Sequence, residues 1–219
     1  MNVFDVIGPV MVGPSSSHTA GALRIAAIAG QLLGEEPVRV QVRLHGSFER
    51  TFRGHGTDRA ILAGLMGMKA DDARIRNSLK IAGQRGITYT FTPIVLKDAH
   101  PNTLQIKAEG RSGRTVQVTG SSIGGGSILI KSINGMVVEF SGQYHTLAIA
   151  HADTPGTIAA VTQILGELKI NIAFMKVFRT RRGGEAIMII ETDQPIDSGI
   201  KEILEHIPNV SRVSVIKPV

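Results

Sequence analysis

No cysteine occurs among the 219 residues, and no tryptophan. The first absence excludes disulfides, zinc ribbons and any thiolate ligand to a metal cluster from this chain itself. The second, with only seven Phe and two Tyr, requires an aliphatic core and leaves little for stacking nucleic-acid bases. No apolar run is long enough to span a bilayer. No Lys/Arg block is present either. The opening stretch MNVFDVIGPV carries an early Asp5 and no basic region, so it does not read as a signal peptide, and a cytoplasmic location is expected.

Hydrophobic residues make up 42% of the chain, which supports a real core. The net charge of +6 is unevenly spread: residues 1–146 hold 16 Lys and Arg against 10 Asp and Glu, and residues 147–219 hold 8 against 8. Scattered basic residues with few aromatics fit nucleic acid poorly. They fit a surface that faces a carboxylate-bearing substrate or an acidic partner.

The hydrophobic pattern predicts an α+β protein in two parts. After GPSSSHT, the stretch AGALRIAAIAGQLLG has apolar residues at helical spacing and Gly34 as its stop. VRVQVRL alternates as a half-exposed strand. GHGTDRAILAGLMGM reads as a loop into a helix capped by Thr57 or Asp58, and DDARIRNSLKIAGQ as a second helix with acids at its start. ITYTF, NTLQIKAEG and RTVQVTG alternate again, and SILIKSI-NG-MVVEF is a hairpin on an Asn-Gly turn. The pattern resets at the polar SGQYH, so we divide the chain into a domain at 1–140, a linker at 141–146 and a domain at 147–219. The last reads βαββαβ, which suits a ferredoxin-like fold.

Four stretches carry candidate chemistry. In GPSSSHTAG, the first turn of a helix exposes unpaired N–H groups and a partial positive charge. Ser15, Ser16, Ser17 and Thr19 add hydroxyls and His18 a switchable donor, while Gly13 and Gly21 would let a ligand approach the backbone. One serine would satisfy a helix cap; the cluster reads as a socket for a small carboxylate or phosphate. In RGHGTD, His55 stands between glycines, and Asp58 could fix its tautomer for general-base work; the same spacing also describes a loop histidine beside a capping aspartate. In DAHPNT, His100 is pushed to extended backbone by Pro101, and Asn102 supplies donor and acceptor; a plain turn reads equally well. In DTPG, Gly156 leaves room at a helix start and Pro155 suits the first helical position, as in any βα turn. The glycine-rich SSIGGGS lacks the lysine of a phosphate loop and the spacing of a dinucleotide fingerprint. His45, His145, His151 and His206 read as structural or solvated, and no pair has metal-ligand spacing.

Taken together, GPSSSHTAG, RGHGTD, HPNT and SIGGG resemble the β chain of the bacterial iron–sulfur-dependent L-serine dehydratases, and HADTPGTIAAVTQILGELKINIAFMKVFRT resembles an ACT domain. The resemblance covers nearly the whole chain. It implies an N-terminal α/β serine-dehydratase β-chain domain, then a ferredoxin-like ACT domain. The implied activity is that of an L-serine ammonia-lyase, turning L-serine into pyruvate and ammonia in a heterodimer. The implied cofactor is a [4Fe–4S] cluster held by cysteines of an α chain, in accord with their absence here. On this resemblance His55 is the base that takes the α-proton and Asp58 orients it. His100 is a second candidate base, or a substrate clamp with Asn102. Ser15, Ser16, Ser17, His18 and Thr19 grip the substrate carboxylate. The ACT domain would bind an amino acid, by analogy serine, near Asp153, Pro155, Gly156, Asn171 and Ile172, and domains of this type usually pair, so a dimer is expected. A rival reading is a non-catalytic serine sensor like the regulatory half of some phosphoglycerate dehydrogenases; a free-standing amino-acid-binding module is another.

Overall fold

The computed structural model describes residues 11–219; the stretch MNVFDVIGPV lies outside them. Helix α1 (Gly21–Leu33) ends at Gly34, whose φ of 78° supplies the left-handed stop expected there. Strand β1 (Pro37–Leu44) buries Val40, Val42 and Leu44 and exposes Arg39, Gln41 and Arg43, the alternation read from the sequence. A short helix α2 (Ser47–Thr51), not anticipated, leads to α3 (Thr57–Leu65) and then α4 (Ser78–Gln84). The connection through them lets β2 (Thr88–Pro93) pair parallel to β1, as a crossover of this length requires. Strands β3 (Thr103–Gly110), β4 (Thr115–Gly124) and β5 (Ser127–Ile133) follow as an antiparallel meander, and β6 (Met136–Phe140) comes after the Asn-Gly turn. The sheet order is β2-β1-β3-β4-β5-β6. Helix α1 packs on β4 and against α3, so one buried aliphatic layer, including Ile25, Ile28, Ile61, Leu104 and Ile130, joins helices to sheet.

Two expectations about the first unit need correction. Neither Thr57 nor Asp58 is the cap of α3: the cap is Gly56, at φ 66°, which has no side chain to bond the helix start, and Asp58 instead accepts from the Arg59 N–H within the first turn. DDARIRNSLKIAGQ is not one helix but a 3₁₀ turn (Ala73–Asn77), capped by Asp72 accepting from the Arg74 N–H, followed by α4. In the glycine-rich SSIGGGS, β4 continues through Gly124 and a tight turn returns the chain into β5.

The contacts divide the chain at Gly135–Met136, within the Asn-Gly turn, so β6 goes with the second unit, where it packs on β8 and β9. Strands β7 (His145–Ala152), β8 (Ile172–Arg179), β9 (Glu185–Thr192) and β10 (Val210–Ile216) form an antiparallel sheet in the order β10-β7-β9-β8. With α5 (Thr157–Glu167) and α6 (Ile200–Glu205) this is the expected βαββαβ arrangement. Its core joins Leu147, Ile149, Val161, Leu165, Met188, Ile190 and Leu204. Helix α5 starts at Thr157 after a Gly156 cap, so Pro155 lies before the cap and not at the first helical position. Among the described residues no helix is long and apolar enough to cross a membrane.

Candidate functional site

The hydroxyl cluster does not enter α1 as an ordinary helical turn. Ser16–Ala20 form a π-helical turn, a wide geometry that often marks functional positions. Ser15 caps it, its hydroxyl accepting from the His18 N–H at 3.2 Å. Ser15, Ser16, Ser17 and His18 are half-buried and Thr19 is buried, so most of the cluster is not sunk in the core.

This turn presents His18 to two other loops. His18 Nδ1 lies 3.3 Å from the Ser15 hydroxyl, and Nε2 lies 3.0 Å from the Ser47 hydroxyl at the start of α2. The ring meets Phe48 edge-on at 5.5 Å and His55 edge-on at 4.7 Å between centroids. Burial, and then the nearby His55, hold the His18 pKa below its usual 6.5, so the ring is neutral at pH 7. A neutral imidazole donates from one nitrogen and accepts at the other, which matches a hydroxyl on each side. His55 is tied by its carbonyl, which accepts from the Thr19 hydroxyl at 3.1 Å, while its Nδ1 is buried without a partner. Two imidazoles, one of them with a buried, unpartnered nitrogen, thus sit face to edge beside the hydroxyls of Ser15, Thr19 and Ser47.

Asp58 does not orient His55. Gly56 turns the chain between them, and the Asp58 carboxylate accepts from the Arg59 N–H at 2.8 Å. The partner of the His55 ring is His18, which spacing in the chain could not reveal.

The HPNT loop joins the same region through Ser47. The Ser47 N–H donates to the Pro101 carbonyl at 2.8 Å, and Gly46, at φ 61°, leaves the room Pro101 occupies. His100 is exposed; its Nδ1 accepts from the Asn102 N–H at 3.1 Å and its carbonyl from the Thr103 hydroxyl at 2.6 Å. The Asn102 Oδ1 is buried and unpartnered. The Asn102 carbonyl accepts from the Ser122 N–H at 2.9 Å, and the Ser122 hydroxyl is also buried and unpartnered, directly under Gly21. Gly21 therefore makes room for Ser122, and Gly13 for Thr19; neither is bare for a ligand's sake. Ser47 and Ser122 were missed by the sequence reading, Ser47 because α2 has no amphipathic period, Ser122 because a buried strand serine looks like any other.

The three stretches GPSSSHT, RGHG and HPNT, separated in sequence, are joined through His18, His55 and Ser47, and the polar atoms His55 Nδ1, Thr57 Oγ1, Asn102 Oδ1 and Ser122 Oγ in and around them are buried without a partner. Buried polar atoms without partners are costly, so they mark where a polar ligand belongs. A cavity of about 400 Å³ opens beside His55.

In the second unit, the Asp153 carboxylate accepts from the Gly183 N–H at 3.0 Å and from Arg179 at 2.9 Å, which, in that order, hold its pKa below the usual carboxylate value. It thereby staples the β8–β9 turn to the DTPG loop. Asn171 donates to Asp193 at 2.6 Å, Pro155 and Gly156 are exposed, and Ile172 opens β8 half-buried. His151, read as structural or solvated, is 3% exposed next to this loop, with Nδ1 at 2.8 Å from the Ala152 carbonyl and Nε2 buried without a partner. His45 and His206 are structural: each ring bonds backbone nearby.

Residues 2–132 match the serine dehydratase beta chain family. The chain belongs to that family. Residues 145–209 match the ACT domain. The chain is 44% identical to the probable L-serine dehydratase, beta chain, of Bacillus subtilis, over 98% of this chain and 97% of that one. It is 40% identical to the L-serine dehydratase, beta chain, of Peptoniphilus asaccharolyticus, over 93% and 92%. It is also 29% identical to the D-3-phosphoglycerate dehydrogenase of Bacillus subtilis, over 88% of this chain but only 37% of the dehydrogenase. The serine dehydratase match ends just before β6, and the ACT match begins with β7.

The chain itself does not fit an iron–sulfur cluster. It has no thiolate, and among the described residues no three His, Asp or Glu side chains are grouped to hold a metal.

Proposed function

We propose that this chain is the β subunit of an L-serine dehydratase that converts L-serine to pyruvate and ammonia together with a separate α chain in the cytoplasm. The observation that carries the reading is the meeting of His18, His55, Ser47 and the HPNT loop on one face, in a chain whose full-length relatives are named as such β chains.

The chemistry assigned to this chain is binding and proton transfer. The substrate carboxylate lies on the π-turn, gripped by the hydroxyls of Ser16 and Ser17 and the helix-start dipole. His55 takes the α-proton, as its open nitrogen allows, and His18 supports its ring edge-on. Asn102 and His100 clamp the polar end of the substrate from the opposite loop. Loss of the hydroxyl is served by no group of this chain, and we assign that task to the α chain, with a [4Fe–4S] cluster as its expected cofactor. The ACT domain binds an amino acid by the DTPG loop and Asn171, and pairs with a second copy.

Co-expression with a cysteine-bearing α chain, an iron count and an L-serine turnover assay test the reading. The β chain alone is expected to be inactive and the pair active, with His55→Ala lowering turnover about a hundredfold or more. An active pair in which His55→Ala and His100→Ala both stay within a few-fold removes the base assignment.

A second reading, a serine sensor, draws on the likeness to phosphoglycerate dehydrogenase. It predicts serine binding by thermal shift with no turnover in any α/β pair.

A further inference from the structure

We infer that the cavity beside His55 is an anion pocket, in which Arg53, Arg59 and Arg76 hold a small multivalent anion of the carboxylate or phosphate class. The cavity measures about 400 Å³, and its lining combines these three arginines with apolar Val12 and Ile75 and with the His55 edge of the site. Volumes of this order suit small organic ligands.

The charge balance is what distinguishes the pocket. No Asp or Glu lines it, and among the described residues none of its arginines has an ion-pair partner. Four arginines outside the pocket form ion pairs, Arg39 with Glu109, Arg74 with Asp72, Arg85 with Glu36 and Arg179 with Asp153, while Arg24, Arg43 and Arg114 bond neutral oxygens. Arg53, Arg59 and Arg76 are solvent-exposed, so water screens their mutual repulsion, but each offers a planar fork that matches carboxylate or phosphate oxygens and all three line the same cavity. A zwitterion such as serine brings one negative charge and an ammonium that the arginines repel. The complementary ligand therefore carries at least two negative charges and no cation.

Gly54, on the rim, points the same way. Its φ lies outside the left-handed range, and a Cβ there would meet only the Thr51 carbonyl at 3.7 Å, so nothing within the fold requires a glycine. A bare backbone at that position keeps the mouth open to a ligand. Because His55 and Thr19 line the cavity and also belong to the imidazole site, an anion here is felt at the base. That regulatory consequence rests on the serine reading above; the binding itself does not.

Isothermal titration calorimetry on the full chain tests the pocket, using citrate and inorganic phosphate as separate probes and acetate as a monovalent control. Saturable binding of citrate or phosphate at one site per chain is expected, at least about tenfold weaker for acetate and for Arg59→Gln/Arg76→Gln, and unchanged for the distant Arg39→Gln. Tighter citrate names a carboxylate ligand and tighter phosphate names a phosphorylated one. If the double variant does not fold, Arg76→Gln alone takes its place. No saturable heat with either probe, equal acetate affinity, or unchanged affinity in a folded arginine variant overturns the inference. Turnover of L-serine without anion binding removes this inference alone; anion binding without turnover in an α/β pair removes the catalytic reading and leaves the pocket standing.

Discussion

His18 Nε2 and the Ser47 hydroxyl, 29 residues apart in the chain, lie 3.0 Å from each other. This bond ties the π-turn before α1 to the start of α2, and through the Ser47 N–H it reaches the Pro101 carbonyl of the HPNT loop. Ser47 is therefore the junction of the candidate site.

Ser47→Ala removes that junction's side chain and leaves His18 held only by Ser15. In the α/β pair, kcat/KM for L-serine is expected to fall roughly tenfold, the scale of one lost hydrogen bond to a functional group. Ser47→Thr keeps the hydroxyl and should recover most of it. A positioning role also predicts a shifted pH profile in Ser47→Ala, because the His18 surroundings change; an unmoved profile with unchanged kcat/KM removes the role.

The His18 pKa is depressed, so the folded chain resists a proton that the unfolded chain accepts near pH 6.5. Its contribution to stability is full above that value and is lost as pH drops below it. Thermal melts from pH 8 to pH 5 should show the first unit weakening below pH about 6.5, and His18→Phe should flatten that slope. An identical slope in the variant would contradict the placement of a neutral ring.

Gly21 faces Ser122, and an added Cβ would stand 2.6 Å from Ser122 Cβ. Gly21→Ala should cost about 1–3 kcal/mol, the usual scale of overpacking. Gly83, in exposed α4, has nothing within 4 Å of such a Cβ. There the same change should stabilise by about 0.5–1 kcal/mol through helix propensity. Chemical denaturation of the two variants, measured side by side, checks both signs.

Glu191 is 9% exposed on β9, and one of its carboxylate oxygens has no partner. Burial pushes its pKa up, against the opposing pull of Ser141 and Lys176. A raised carboxyl costs stability while it is charged, and the cost is relieved as pH falls through the raised value. Glu191→Gln should therefore raise the melting temperature of the second unit at pH 7–8, with the gain shrinking toward the ordinary carboxylate range. A lower melting temperature at pH 7 would show that the charge is compensated in the folded protein.

Local pattern alone sufficed for β1, α1, the Asn-Gly hairpin and the βαββαβ order of the second unit, because strand alternation, helical spacing and turn residues act over a few neighbours. The same local chemistry marked GPSSSHT as a socket for a small anion and left RGHG and HPNT open between site residues and plain loops. It could not tell which side chains meet. The pairing of His55 with His18 instead of Asp58, the Ser47 junction, the Ser122 hydroxyl beneath Gly21 and the grouping of Arg53, Arg59 and Arg76 arise from α1 packing on the sheet and α3 packing against α1. Such contacts depend on closing loops of tens of residues, and the free energy that closes them is the burial of the shared aliphatic core, which no single stretch of the chain contains.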